Sequence, residues 1–531
     1  MHPIGIDLGT TYSAISKWRN DNGFIGSETY NIASETSDTL ASKVFVEIEG
    51  KEVSFMVGKS ALQKGVISPD NAIWAVKRYM DDANHRFNIE GYDFSPMDIS
   101  AEILKKLLQT AESIENPGGY TPKGLVVTVP YYFKQPQFVN TKKAALSALK
   151  DLYKDRLENP ETMFLGLVPE PIAAGLDFAF NNHGNDMVDQ NFLIFDLGGG
   201  TFDLTIFKLN QTNNTIDFNV LSVDGDARLG GEDFDKCLMD WVLDEVDFNI
   251  NTLDEKSKAR ALKKTIPEIT SLKEMLSVAN ESSLIIPSQS ADMPTIDLQV
   301  KVKDFEKSLS KNEASVDYGK KIELLVDSVL HKANLKSDAI SAVLLTGGSS
   351  KIPLFKNILI EKFGEKKIRQ QATMNLAVAR GAAIYAAYLL DEELEKEGKE
   401  REHLTVWNKV TISEPTAHSI GIRTASSPFF SIIKDNQITP VSRTLPIIPS
   451  KLSEDGKLIL WSEVTVLQGD KDSVVGRIKI NEQLYTHGKS RTEIKGKLKF
   501  MVQKNLIRVS VSMPGCRQDG TDYFFEEDLR L

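Results

Sequence analysis

The sequence predicts an α/β fold in two lobes, continued by a small β-rich domain. Three observations carry this expectation. A strand–turn–strand unit followed by helical pattern recurs in both halves of roughly the first 390 of the 531 residues. Two of these units share one order, an apolar strand ending in Asp, a Gly/Thr turn and a second alternating strand. After residue 415 the helical period disappears, and short alternating runs separated by turn residues take its place.

The first such unit is Ile4-Gly5-Ile6-Asp7-Leu8-Gly9-Thr10-Thr11-Tyr12-Ser13. The second is Leu193-Ile194-Phe195-Asp196-Leu197-Gly198-Gly199-Gly200-Thr201-Phe202-Asp203. One Asp-Leu-Gly turn is an ordinary hairpin, whereas two in the same order suggest a clamp for a nucleotide triphosphate. Phosphate oxygens need backbone N–H donors at close range, which glycine permits. Gly9, Gly198, Gly199 and Gly200 suit that task, and Thr10, Thr11 and Thr201 add hydroxyls. Mg²⁺ prefers oxygen ligands and retains waters, so Asp7 and Asp196 are the candidates to hold it through water. A third turn follows the apolar run Val343-Leu344-Leu345-Thr346, where Gly347-Gly348-Ser349-Ser350-Lys351-Ile352-Pro353 opens a helix and offers free N–H groups.

Helices with apolar stripes are expected over 100–109 and 140–153, and another over 266–279 after Pro267. The charged run 391–402 reads as a solvated helix end, with Glu392/Lys396 and Glu395/Lys399 spaced to pair. Residues 410–415 read as an interdomain linker. Strands are expected over 458–466, 477–480, 493–502 and 506–512. The expected domains are 1–390, with lobes about 1–180 and 190–390, then 391–414 as helix end and linker, and 415–531 as a β-sandwich.

A formal charge of −11 and a pI near 5.4 argue against a nucleic-acid surface. Cys237 and Cys516 exclude a disulfide framework, and the seven histidines show no metal-ligand spacing. The most apolar long stretch, 377–390, carries Arg380 and is too short to span a bilayer. The chain opens at Met1-His2-Pro3 directly into a strand, which reads as having no leader and predicts a cytoplasmic location.

Together these segments resemble the 70-kDa heat-shock (DnaK-type) chaperones, built on the actin-like ATPase fold. Further segments that carry the resemblance are Ala75-Val76-Lys77-Arg78, Val126 through Phe133, Pro169-Glu170-Pro171-Ile172-Ala173-Ala174-Gly175, Leu229-Gly230-Gly231-Glu232-Asp233-Phe234-Asp235 and Ala377-Val378-Ala379-Arg380-Gly381-Ala382-Ala383. The resemblance implies ATP/ADP and Mg²⁺ as cofactors. It implies that Gly9, Thr10, Thr11 and Tyr12 hold phosphates and that Gly199, Gly200 and Thr201 hold the β/γ end. Asp7, Glu170, Asp196 and Asp203 would surround Mg²⁺ and the attacking water, with Thr201 beside them. Gly347, Gly348, Ser349, Ser350 and Lys351 would border the adenosine, and Lys273 and Ser277, four apart on one helix, would contact it.

Departures from the family pattern are also legible. The resemblance implies an essential Lys shortly after a Val-Gly pair, and counting from Val57-Gly58 places Leu62 there. Loss of such a cation would cost roughly 3–4 kcal/mol of transition-state stabilisation, so weak hydrolysis is expected. Phe138 stands where an Arg would link the cleft to Pro130, and Gly166 where an Arg would receive a J-domain partner. Glu274 replaces an Arg beside adenine, and Asn375 replaces an Asp. In the β-rich part, Val466-Leu467-Gln468-Gly469-Asp470 matches the peptide-gripping sandwich, Phe429 and Phe430 lie near its groove, and Ser462 falls near an apolar pocket position. The resemblance ends without the family's helical lid, so faster peptide release is expected.

The resulting expectation is an ATP-dependent chaperone that binds unfolded or extended polypeptide. Its implied partners are a J-domain protein, a nucleotide-exchange factor or another chaperone; no nucleic acid and no membrane are expected. The alternative is a nucleotide-gated binding protein or co-chaperone with little turnover. A small-molecule kinase of the same superfold is a third reading, against which the C-terminal sandwich argues.

Overall fold

In the computed structural model the described residues are 1–531 except 22, 36, 83, 213–214, 289–293, 311–315, 370–375, 408, 414, 417, 425, 436, 438, 450, 461–462, 472, 480–481, 504–505 and 531. The chain divides into two compact units: residues 1–133, 140–218 and 222–411 form one, and 134–139, 219–221 and 412–531 the other.

The first unit has the actin-like α/β architecture, and its plan is used twice. One sheet runs Phe164–Pro169, Gly124–Val129, Pro3–Asp7, Tyr12–Asp21, Phe24–Thr29. The other includes, in order, Ile368–Arg369, Ile340–Thr346, Met187–Leu197, Phe202–Gln211 and Thr215–Asp226. In each, an Asp-bearing antiparallel hairpin is flanked on one side by parallel strands. Strands covered on both faces read as continuous apolar runs, as Leu193, Ile194 and Phe195, all fully buried, illustrate.

The helices expected over 100–109 and 140–153 are Pro96–Glu115 and Gln135–Tyr153. The former starts earlier because Ser95 caps it: its hydroxyl accepts from Asp98 N while the Asp98 carboxylate accepts from Ser95 N. The helix expected over 266–279 runs Glu255–Leu276, so Pro267 lies inside it rather than at its start. The apolar stretch 377–390 is part of the helix Ala377–Lys396, which packs on Pro3–Asp7 and on the helix Glu170–Asn181. Arg380 and Asp177 join these helices through two hydrogen bonds of 2.8 and 2.7 Å. A Cβ on Gly381 would stand 1.7 Å from the Ala173 carbonyl oxygen, so glycine is what allows this crossing.

Past Lys396 the charges pair differently from expectation: Lys396 with Glu393, Lys399 with Glu397, and Arg401 with Glu395. The chain then turns back on itself. The fully buried Asp391 carboxylate accepts the N–H groups of Glu402 and His403, both at 3.0 Å, and of Leu404 at 2.7 Å. Trp18 Nε1 donates to the His403 carbonyl, and buried Trp407 meets Phe180 edge-on.

Among the described residues of the second unit, the strands from Ile420 onward pair antiparallel. One sheet orders Phe430–Ile433, Ile420–Ile422, Glu463–Gln468 and Val474–Lys479; another orders Val441–Ile447, Gly496–Gln503, Leu506–Met513 and Tyr523–Arg530. Their inward residues, among them Ile420, Val466, Ile478, Phe500 and Val509, share one core. The strand expected over 458–466 is two, Leu458–Leu460 and Glu463–Gln468, in different sheets, and Ser462 lies outside the described residues. Phe430 is exposed and Phe429 half-buried.

Candidate nucleotide site

A cavity of about 540 Å³ in the first unit gathers most of the residues singled out from the sequence. Asp7, Gly9, Thr10, Thr11 and Tyr12 line it from one hairpin, and Asp196, Gly198, Gly199 and Thr201 from the other. Glu170, Lys273, Ser277, Gly347, Gly348, Ser349 and Lys351 complete the expected set on its wall. Three expected residues stand behind that wall. Gly200 has its carbonyl held by Arg78 (3.3 Å), and the Ser350 hydroxyl donates to the Gly347 carbonyl (2.7 Å). Asp203, only 1% exposed, pairs across the hairpin with Asp196 and accepts from Tyr131 N at 3.1 Å.

The two hairpins touch at their turns. A Cβ on Gly199 would lie 1.9 Å from Thr11 Oγ1, so no side chain fits there. In its own turn, Gly9 N donates to Ser13 Oγ, which meets Ser42 Oγ at 2.9 Å. Asp7 ends its strand with Thr128 Oγ1 donating to its carboxylate at 3.1 Å.

The sequence expectation for Leu62 is corrected by the fold. Leu62 sits half-buried on the short helix Lys59–Ile67 and is not among the cavity residues. Lys64 is turned to Glu47 at 3.0 Å. Among the cations that line the cavity, the one paired with Glu170 is Lys77, 5% exposed, with Nζ 2.5 Å from Glu170 Oε1. It is carried by the turn Val76–Tyr79, which follows Ala75 in a left-handed conformation (φ 56°). The available signal was an apolar run, Ala72-Ile73-Trp74-Ala75-Val76, ending in two adjacent cations.

Electrostatics follow from crowding carboxylates in a buried place. Burial, then the Glu170 charge, raises Asp7 to about 7 and Asp203 to about 8. Asp196 is raised well above 3.8 by burial, Glu170, Asp203 and Asp7. Such a set favours a divalent cation, and its donors are all oxygen, as Mg²⁺ prefers. Among the described residues no three His, Cys, Asp or Glu side chains form a direct metal cage, so phosphate oxygens and waters would supply the remaining ligands.

At the other end, Lys273 Nζ donates to the Gly231 carbonyl (2.9 Å) and pairs with Asp235 (2.8 Å), which also accepts from Thr270 Oγ1 at 2.9 Å. Glu274 does line the cavity. Lys43, its ammonium 4.7 Å from the Trp74 ring centre, lines it too and was not foreseen. Phe138 lies half-buried in the helix Gln135–Tyr153, Gly166 in the strand Phe164–Pro169, and Asn375 outside the described residues.

Two comparisons with known proteins bear on this site. The family described as "Hsp70 protein" matches residues 80–481. The chain is 30% identical to "Chaperone protein DnaK" of Thermosipho melanesiensis over 474 residues, covering 88% of this chain and 70% of that protein. It is 28% identical to the DnaK of Elusimicrobium minutum over 475 residues (88% and 68%). To "Heat shock 70 kDa protein" of Ajellomyces capsulatus it is 26% identical over 545 residues (97% and 70%). With a doubled actin-like plan, glycine turns facing one cavity, and a family match over most of its length, the chain belongs to the Hsp70 family.

Proposed function

We propose that this protein is an ATP-dependent molecular chaperone of the 70-kDa type: the first unit binds Mg²⁺–ATP and hydrolyses it, and the β-rich unit binds extended polypeptide. The observation that carries the reading is the Lys77–Glu170 pair beside Asp7 and Asp196 in a cavity walled by glycine turns. Bound Mg²⁺–ATP would supply the phosphoryl group and a charge to neutralise the carboxylates. The residues present suit five tasks. The Gly9 and Gly199 turns offer close backbone approach, Thr10, Thr11 and Thr201 offer hydroxyls, and Lys77 offers a cation for developing negative charge. Glu170 and Asp196, both on the cavity wall, are the groups to orient a water and accept its proton, with Asp203 paired behind Asp196. Lys273, Ser277, Ser349 and Lys351 suit the nucleoside end.

With Lys77 in place, Leu62 no longer argues for slow turnover. A second reading, nucleotide-gated binding with little hydrolysis, is favoured by one observation: Glu170 already engages the Lys77 ammonium at 2.5 Å. Single-turnover hydrolysis of ATP by the purified chain, with calorimetric titration of ADP and ATP in Mg²⁺, tests both. Binding with hydrolysis supports the first reading, binding without it the second, and no binding overturns both. Polypeptide, J-domain and exchange-factor partners, and a cytoplasmic location, belong to the same proposal. Among the described residues no helix is long and apolar enough to cross a membrane.

A further inference from the structure

Three successive carbonyls of the second glycine turn are each held on one side. Gly198 O accepts from Gly231 N at 3.0 Å and Gly199 O from Glu232 N at 2.7 Å. Gly200 O accepts from the Arg78 guanidinium at 3.3 Å. In a trans peptide the C=O and the following N–H point in opposite directions. Holding these carbonyls toward the start of the helix Gly231–Glu245 therefore turns the N–H groups of Gly199, Gly200 and Thr201 the other way, and Gly199 and Thr201 line the cavity. Successive N–H groups set this way form an anion-binding concavity.

Two of the three holds are backbone to backbone. The third is a side chain, and it comes from the segment that carries Lys77. Arg78 is itself fixed by Asp233 (2.5 and 3.3 Å) and stands 3.0 Å from Glu232. Asp233 in turn accepts from Gly230 N at 2.9 Å, so the guanidinium and the helix start brace one another. The space is close-fitted, since a Cβ on Gly200 would lie 2.9 Å from Arg78 Nε.

We propose that Arg78 is a positioning residue: it keeps the Gly200–Thr201 peptide turned so that the Thr201 N–H faces the terminal phosphate, and it sets this turn in register with Lys77. The inference rests on the ATP-hydrolysing reading above. A planar guanidinium can serve Gly200 O and Asp233 together, which a lysine ammonium does less well.

The test measures ADP affinity, ATP affinity and single-turnover hydrolysis, all with Mg²⁺, for wild type, Arg78→Lys and Arg78→Met. Thermal melts with ADP bound confirm folding. The expected result is ADP affinity within about threefold of wild type, while ATP affinity falls more and hydrolysis falls about 10- to 100-fold, below the full loss seen when an anion-stabilising donor is deleted. Arg78→Lys should lie between the other two. Equal losses for ADP and ATP would show a merely structural role and overturn the inference, as would unchanged hydrolysis in Arg78→Met, with the ATPase reading left standing. Failure of wild type to bind nucleotide would overturn both.

Discussion

Lys77 Nζ and Glu170 Oε1 lie 2.5 Å apart in a buried pair that joins a short turn to the first residue of the helix Glu170–Asn181. Each side chain is fixed by the other, because a lone charge at either position would be left desolvated. The ammonium also lies 5.7 Å from the Phe133 ring centre.

Lys77→Met should lower single-turnover hydrolysis by about 100-fold or more while ADP still binds, since a cation at developing charge acts mainly in the transition state. Leu62→Lys should change hydrolysis less than about twofold, because position 62 is not on the cavity wall. A large gain in Leu62→Lys would restore the expectation made from the sequence.

The raised carboxylates make the nucleotide-free protein sensitive to alkali. Asp7 and Asp203 are raised from 3.8 to about 7 and about 8. The folded state therefore holds protons that the unfolded chain has released between those values. Their contribution to stability is fully present below pH 3.8 and is lost as pH rises through about 7 to about 8. Urea denaturation of nucleotide-free protein at pH 5, 6, 7 and 8 should show a shallower fall for Asp203→Asn than for wild type. Identical slopes would contradict the assignment.

The same titration predicts proton release on loading. Calorimetry of Mg²⁺–ADP binding in buffers of different ionisation enthalpy should reveal protons leaving at pH 7, with fewer in Asp196→Asn. Asp196→Asn should also weaken the Mg²⁺ dependence of nucleotide affinity.

Arg380→Ala should destabilise the first unit by about 3–5 kcal/mol, because it strands the buried Asp177 carboxylate that accepts both its bonds. Chemical denaturation measures this directly. A loss below about 1 kcal/mol would mean that water replaces the guanidinium.

Much of the site was legible because glycine turns and Asp-ended strands are local signals: Asp7, Gly9, Asp196 and Gly199 all reach the cavity. Lys77 was missed because its burial depends on Glu170, 93 positions away, and on a turn with no hydrophobic period to count along. Counting forward from Val57-Gly58 reached Leu62, which the fold puts on the helix Lys59–Ile67 and not on the cavity wall. Pro267 read as a helix start because the first turn tolerates proline best, but here it lies within the helix. Leu458–Leu460 and Glu463–Gln468 belong to different sheets, a tertiary fact that the alternating run over 458–466 does not reveal.

The contact of the helix Ala377–Lys396 with the strand Pro3–Asp7 has a consequence for biosynthesis. A Cβ on Gly5 would lie 2.1 Å from Ala383 N, so strand and helix meet backbone to backbone. The strand Pro3–Asp7 cannot acquire that neighbour until the distant segment Ala377–Lys396 has been synthesised. During translation its hairpin waits with that face uncovered, so maturation of the first lobe depends on the arrival of the helix Ala377–Lys396 and not only on the order in which its own strands emerge.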